Sequence, residues 1–562
     1  MIRWQKFLFV LLLPILIACS QTAVPETAVS TEAAEPEAEV VVEETEVEES
    51  TEDTNSSEDE SMTDEEMDEE MADEEMADEE MDEEVMEDES MADEEMDEEM
   101  ADEEMADEII PIDDEEAKEL MFLLSNGSPE EAAEAVERII EADDERFIGV
   151  FIELFRARQI GLTRVLGVDE IVSALLRLSD AQNGNNWDLW VEWYGTTDLT
   201  VPDGFVSWKG QMLSLIDVRF GAFLQDRHPI NVRPEEIMWG GVLVDGIPPL
   251  DYPAMITPEQ ADYLDPWDPV FGMSINGDSR AYPLRIIDWH EMANDVIGGV
   301  PVSIAYCTLC GAAVAYDGRG SDGTDYDFSS SGFLFRSNKL MYDRQTNTLW
   351  NQLTGEPVLG ELVDSDIELD LLPIVLTTWE AWQEQHPDTV VVDENTGISR
   401  DYTLGSAYGD YFSSQFTMFP VWQRDDRQET KDFVYTLNID DTPKAYPVEL
   451  LAEEGVVNDV LADTAITLIA ARGVVESEGL SRRAGPVTYS SGAEVRAYER
   501  GDETFSPGPD ADTVIDSSGQ TWQVTEEALV GPNGETLERI SGHLAYWFGW
   551  FAFYPETLLY EN

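Results

Sequence analysis

The chain states one pattern twice. Residues 271–304, FGMSINGDSRAYPLRIIDWHEMANDVIGGVPVSI, and residues 433–469, FVYTLNIDDTPKAYPVELLAEEGVVNDVLADTAITLI, align at a constant offset of 164. Ala281-Tyr282-Pro283 then meets Ala445-Tyr446-Pro447, and Asn294-Asp295-Val296 meets Asn458-Asp459-Val460. Further on, WEAWQEQHPDT (379–389) aligns with WFGWFAFYPET (547–557) at an offset of 168, pairing Trp379 with Trp547 and Trp382 with Trp550. Between these ends, LMYDRQTNTLWNQLTGEPVLG resembles TVIDSSGQTWQVTEEALVG in its turn, its Trp and its closing Gly. A pattern held in nearly one register at both ends predicts two copies of one folded unit. Short apolar runs bounded by Gly, Asn and Asp make that unit β-rich, with a helix carrying the Asn-Asp pair and a terminal WxxW segment.

The copies differ where chemistry would sit. His290, Cys307 and Cys310 of the first copy meet Glu454, Ala471 and Val474 in the second. Shared residues are explained by a common scaffold, and the unshared His and Cys are not. The first copy is expected to be active or ligand-bearing, with the second as its structural partner.

Cys307-Thr308-Leu309-Cys310-Gly311 lies between the strand-like flanks VSIAY and AAVAYD, which puts the CxxC on a turn rather than at a helix N-terminus. Three readings stay open. In a metal site, the two thiolates pinch one ion and the His290 imidazole completes a shell for copper or zinc. In a dithiol/disulfide couple, Cys307 attacks, Cys310 resolves and His290 serves as base. In the third, the pair is a local disulfide or two buried thiols, and His290 satisfies its own helix. Glu291, Asn294 and Asp295 in DWHEMAND are supporting candidates, with His290 and Asn294 at helical i and i+4 spacing. Asn294 and Asp295 persist in the copy lacking His, which points to capping or turn formation. Arg336, Asn338, Asp343 and Arg344 are assigned to a hairpin, with Asp343 and Arg344 as a turn and surface pair. His386, which meets Tyr554, is assigned to packing.

The formal charge of -93 excludes a basic grip on nucleic acid, since phosphate binding needs clustered Lys and Arg. Residues 31–110 contain 43 Asp and Glu with no Lys or Arg, and the remaining body is acidic in its own right. The MADEEMADEEMDEE tract has too little apolar surface to offset ordering entropy, so it is expected to be a disordered tether. Ten of the 19 Met lie in it, and a soft-metal or divalent-cation trap of thioether and carboxylate ligands is the sharper alternative to a solvated spacer. Before it, Arg3 and Lys6 precede FLFVLLLPILIA, the pattern of a secretory signal. Leu16-Ile17-Ala18-Cys19 resembles the lipobox of bacterial lipoproteins, which implies lipid on Cys19 and a membrane anchor on the extracytoplasmic face of the cell envelope.

After the tether, apolar residues recur at three and four, predicting helices over EEAKELMFLLSNG, AAEAVERIIEA, DERFIGVFIELFRARQ and VDEIVSALLRLSD. Ser128, Pro129 and Glu131 form a helix-start signature. These helices resemble HEAT repeats of irregular period. Trp187, Trp190 and Trp193 are read as a core stripe.

WKGQMLSLIDVRFGAFL, EEIMWGGVLVDGIPPL, GDSRAYPLRIIDWHEMANDVIGGVPVSIAYCTLCGAAVAYD and SGFLFRSNKLMYDRQTNTLWNQLTGEPVLG resemble the bacterial domain of unknown function DUF3179. The resemblance is dense over about 206–395 and weaker over 430–562. It implies an extracytoplasmic domain and no established activity. The whole chain is thus expected to be α+β: signal peptide (1–19), disordered acidic linker (20–114), HEAT-like helical module (115–205), first β-rich domain (206–415) and degenerate second copy (416–562). The expected function is a metal-binding or redox module at His290, Cys307 and Cys310. Its rival is a non-catalytic envelope scaffold, or a glycan- or peptide-binding protein using the 15 Trp.

Overall fold

The structure, a computed structural model, describes residues 109–561. Cys19 with its signal, and nearly all of the 20–114 linker, lie outside the described residues. Among those described, no helix is long and apolar enough to cross a membrane.

The fold is α+β. Helices Asp114–Asn126, Pro129–Glu141, Phe147–Gln159, Val168–Leu178 and Trp187–Gly195 come first. At the second, Glu131 N–H donates to Ser128 Oγ at 3.3 Å and Ser128 N–H donates to Glu131 Oε2 at 2.8 Å, the reciprocal box that satisfies two orphan donors. Trp187 and Trp190 are buried in the helical core, and Trp193 packs against it half-buried. Helix continues past residue 205, over Phe205–Leu213. Met238, Leu334 and Trp422 of the following region enter the same core.

Three five-stranded sheets follow, through Val392. One pairs Pro269–Ile275 with Asp278–Pro283, which runs parallel to Val390–Val392. The next places Val300–Cys307 between Met292–Ile297 and Ala312–Asp317. The third contains the hairpin Phe328–Phe335 and Asn338–Asp343. After residue 432, Phe433–Ile439 pairs with Thr442–Pro447, which runs parallel to Leu558–Leu559, and Val456–Leu461 pairs with Thr464–Ile469.

Residues shared between the two aligned segments make the same contacts. Tyr282 OH donates to Asp295 Oδ2 at 2.6 Å, and Tyr446 OH to Asp459 Oδ2 at 2.8 Å. Asn294 exchanges hydrogen bonds with the backbone of Phe328, and Asn458 with that of Phe505. Trp382 Nε1 donates to Thr389 Oγ1 and Trp550 Nε1 to Thr557 Oγ1, both at 2.8 Å. Trp350 donates to Asp343 and Trp522 to Asp516, both at 2.9 Å. These bonds satisfy buried polar groups that would otherwise cost about 1–3 kcal/mol each.

Two expectations are corrected. The Asn-Asp pair lies on the strand Met292–Ile297, not on a helix, because the helix Leu284–His290 stops where Glu291 turns left-handed at φ 55°. Asp343 is fully buried rather than a surface partner of Arg344, for it accepts from the Trp350 indole and the Thr346 and Thr348 backbone.

Candidate functional site: a buried dithiol beside a small cavity

Cys307 ends the strand Val300–Cys307, Thr308–Cys310 makes one 3₁₀ turn, and Gly311 reverses the chain into Ala312–Asp317. The CxxC therefore sits on a turn between two strands. Gly311 has φ 59°, and a Cβ there would lie 2.8 Å from the Phe433 ring. On the other side, a Cβ on Gly549 would lie 2.9 Å from Cys310 Cβ. These two glycines let the turn seat directly against the C-terminal segment, whose Tyr546, Trp547, Phe548 and Trp550 share a core with both cysteines.

Both cysteines are buried free thiols, and they are not equivalent. Burial, and the charge of Glu291, work to raise the Cys307 thiol, but the neighbouring Cys310 side chain and the Lys339 and Cys310 backbone N–H groups hold it below the ordinary thiol value. Cys310 is pushed well above that value, by burial first and then by its neighbour. The two neighbouring buried thiols are thus shifted in opposite directions, Cys307 downward and Cys310 upward.

The supporting hairpin is strained. Arg336 (φ 49°) and Ser337 (φ 61°) are both left-handed without being glycine, at about 1 kcal/mol or more each. That turn puts the Ser337 carbonyl 3.4 Å from Cys310 Sγ and leads directly into Asn338 and Lys339. Asn338 Nδ2 donates to Gln352 Oε1 at 2.8 Å, and Gln352 Nε2 donates to the carbonyls of Ala305 and Ala312 at 2.9 and 3.1 Å. One side chain thus ties together the strands on either side of the CxxC.

A cavity of about 90 Å³ opens beside Cys307, lined also by Thr308, Glu291, Lys339 and Tyr408. Lys339 Nζ donates to Glu291 Oε2 at 3.1 Å, and Tyr408 OH lies 3.5 Å from Glu291 Oε1. The Thr308 hydroxyl is buried without a hydrogen-bond partner. One helical turn before Glu291, Asp288 is buried with neither carboxylate oxygen bonded. Burial, and then the charge of Glu291, push its carboxyl well above the usual carboxylate range.

At the alignment offset, Asp288 meets Ala452 and Glu291 meets Gly455. The backbone hydrogen bonds match at both places. Glu291 N–H donates to Ile287 O and Gly455 N–H to Leu451 O, while Tyr306 N–H donates to Glu291 O and Ala470 N–H to Gly455 O, all at 2.7–2.8 Å. Only the side chains differ.

His290 is not part of this arrangement. Its Nδ1 meets Pro248 O at 2.8 Å and its Nε2 meets Tyr402 OH at 2.6 Å, so both ring nitrogens are engaged. Burial lowers its pKa, and the neutral ring pins the Tyr402 loop. Among the described residues, no group of three or more His, Cys, Asp and Glu side chains is placed to hold a metal ion. Asn294 bonds Asp251 and Ser303, and Asp295 pairs with Arg280 at 2.7 Å, both away from the thiols as scaffold. Glu291 alone of the supporting candidates faces the cavity. Asp288, Lys339 and Thr308 escaped the sequence reading, although the offset comparison would have exposed Asp288.

A larger groove, about 720 Å³, lies elsewhere and contains no cysteine. There burial pushes the Lys431 amine down to about 7, and its Nζ stands 3.4 Å over the Tyr411 ring. The tryptophans offer little to a glycan. Trp190, Trp350, Trp382, Trp547 and Trp550 are fully buried, and Trp267 is the exposed one among those described.

The family model described as "Protein of unknown function (DUF3179)" matches residues 244–557. The chain belongs to the DUF3179 family. The match runs across residue 415, so the DUF3179 unit includes both β-rich segments. No curated protein and no solved structure matches the chain.

Proposed function

We propose that this DUF3179 protein is a lipid-anchored, extracytoplasmic dithiol oxidoreductase, with Cys307 as attacking thiolate and Cys310 as resolving thiol. The single observation that carries the reading is the inequality of two adjacent buried thiols, of which the one shifted downward borders a polar cavity. A structural pair of thiols needs no such asymmetry.

The chemistry balances in two steps. Cys307 Sγ bonds to the oxidised atom of an acceptor, whose leaving group departs with the bonding electron pair and takes a proton. Cys310 then gives up its proton, its sulfur attacks Cys307 Sγ, and the Cys307–Cys310 disulfide forms as the second product leaves. Two electrons pass to the acceptor, and an external dithiol restores the pair. An oxidising compartment is the setting where such a couple cycles, consistent with the signal-like sequence and Cys19.

In this reading the segment from 416 onward is a degenerate copy that walls in Cys310, supported by the matching scaffold bonds. The N-terminal helices form a HEAT-like module, and the acidic stretch is a tether. The metal alternative loses its third ligand with His290 occupied.

The test is equilibration of the full chain with graded ratios of reduced to oxidised dithiothreitol, followed by disulfide mapping. A Cys307–Cys310 disulfide forming reversibly at one midpoint, and absent in Cys307→Ser, supports the proposal. Thiols that stay reduced at every ratio would sink it.

A further inference from the structure

Resting on the dithiol reading, we propose that the acceptor is a hydroperoxide, hydrogen peroxide or a short alkyl hydroperoxide, bound in the cavity between Cys307, Thr308 and Lys339.

Size is the first argument. Cys307 is 1% exposed and borders a cavity of about 90 Å³, walled by Tyr408, Met418 and Phe419. Pockets for ordinary organic ligands run to about 300–1,000 Å³. A protein disulfide or glutathione disulfide does not fit, and a molecule of a few heavy atoms does.

Polarity is the second. The Thr308 hydroxyl, 1% exposed, has no partner although a buried hydroxyl normally finds one. Lys339 Nζ carries three donors, of which the Glu291 carboxylate takes one. The cavity therefore offers free donors next to a sulfur nucleophile, the arrangement needed to steady a negative oxygen as it leaves. An apolar occupant would leave these groups unpaired.

The step is a displacement at oxygen. Cys307 Sγ attacks one peroxide oxygen, the S–O bond forms as the O–O bond breaks, and the alkoxide or hydroxide departs with the electron pair and takes a proton to become alcohol or water. Cys307 is left as a sulfenic acid. Cys310 attacks that sulfur, the S–S bond forms, the S–O bond breaks, and the oxygen leaves as water with the Cys310 proton. In sum, dithiol and hydroperoxide give disulfide, alcohol or water, and water.

The reduced full chain is mixed in single turnover with hydrogen peroxide, tert-butyl hydroperoxide or glutathione disulfide. The inference predicts that peroxide forms the Cys307–Cys310 disulfide at least about tenfold faster than glutathione disulfide, a gap of about 1.4 kcal/mol in barrier. It also predicts that Cys310→Ser treated with peroxide yields a dimedone adduct on Cys307. Thr308→Val should slow the peroxide reaction about tenfold, the loss of one hydrogen bond, while iodoacetamide alkylation of Cys307 is little changed. If glutathione disulfide is the faster oxidant, or no sulfenic acid is trapped, the inference falls and the dithiol reading stands. If neither oxidant nor the dithiothreitol series forms the disulfide, both fall.

Discussion

Glu291 and Gly455 terminate equivalent helices, both at positive φ, 55° and 71°, with the same backbone hydrogen bonds on either side. Glycine is the residue that takes this conformation without penalty, whereas an L side chain pays about 1 kcal/mol or more. The first segment carries that cost at the place where its side chain meets Lys339 in the cavity. The strain marks a position held for its side chain and not for its backbone.

The Glu291–Lys339 pair is buried, with side chains 11% and 4% exposed. Breaking one half leaves a buried charge alone, so Lys339→Met should destabilise the protein by about 3–5 kcal/mol. Replacing both, as Glu291→Gly with Lys339→Met, should be neutral or stabilising by about 1–4 kcal/mol, because the desolvation cost and the backbone strain both disappear. Denaturant midpoints of the two single variants and the double variant close the cycle. A double variant no better than the worse single one contradicts this account of the pair.

His290→Ala should lose stability without losing thiol chemistry. It leaves the Pro248 carbonyl and the Tyr402 hydroxyl short of a partner, at about 1–3 kcal/mol each. Chemical denaturation gives the first quantity and the rate of Cys307 alkylation the second. A collapse of alkylation at unchanged stability would return His290 to the thiol site.

Asp288 predicts a pH signature. Its carboxyl is raised in the folded chain, so the folded state holds its proton above the unfolded value of about 3.9, where the unfolded state has released it. Its contribution is complete below the unfolded pKa and is lost as pH rises toward the folded one. Asp288→Asn keeps the shape without the titration, so its stability relative to wild type should improve steadily with pH from the unfolded value upward. Urea midpoints across that range check the slope, and parallel curves for the two proteins would contradict a raised Asp288 carboxyl.

The seat under Cys310 is equally specific. Gly549→Ala places a Cβ against Cys310 Cβ and should cost about 1–3 kcal/mol by overpacking. Because it pushes on the turn, it should also alter the reactivity of Cys307, read by alkylation. A variant with wild-type stability and reactivity would show that the turn is not clamped from that side.

Much of this was legible in the sequence because it was local or repeated. The capping box at Ser128, the CxxC between two strands and the scaffold role of the shared Asn, Asp and Trp residues each follow from spacing alone. The site was legible only in part. Lys339 reaches Glu291 across 48 residues and a strained hairpin, a meeting that no periodicity announces. His290 stands out in the sequence as unshared, and in the structure both its ring nitrogens bond elsewhere. It is absent from the second segment, where Glu454 instead meets Tyr560, while His290 itself binds the Tyr402 loop. The i and i+4 spacing of His290 and Asn294 failed for a different reason: one left-handed residue between them ended the helix.

The central claim is that the two thiols divide the labour, and the most direct measurement is the alkylation rate of each cysteine in the full chain against pH, resolved by mass spectrometry. Cys307 should react first, with a midpoint below the ordinary thiol value of about 8.5, and Cys310→Ala should move that midpoint upward by removing the neighbouring side chain that lowers it. Cys310 should stay unlabelled until the chain unfolds. Preferential labelling of Cys310, or a Cys307 midpoint that does not respond to Cys310→Ala, would contradict the account.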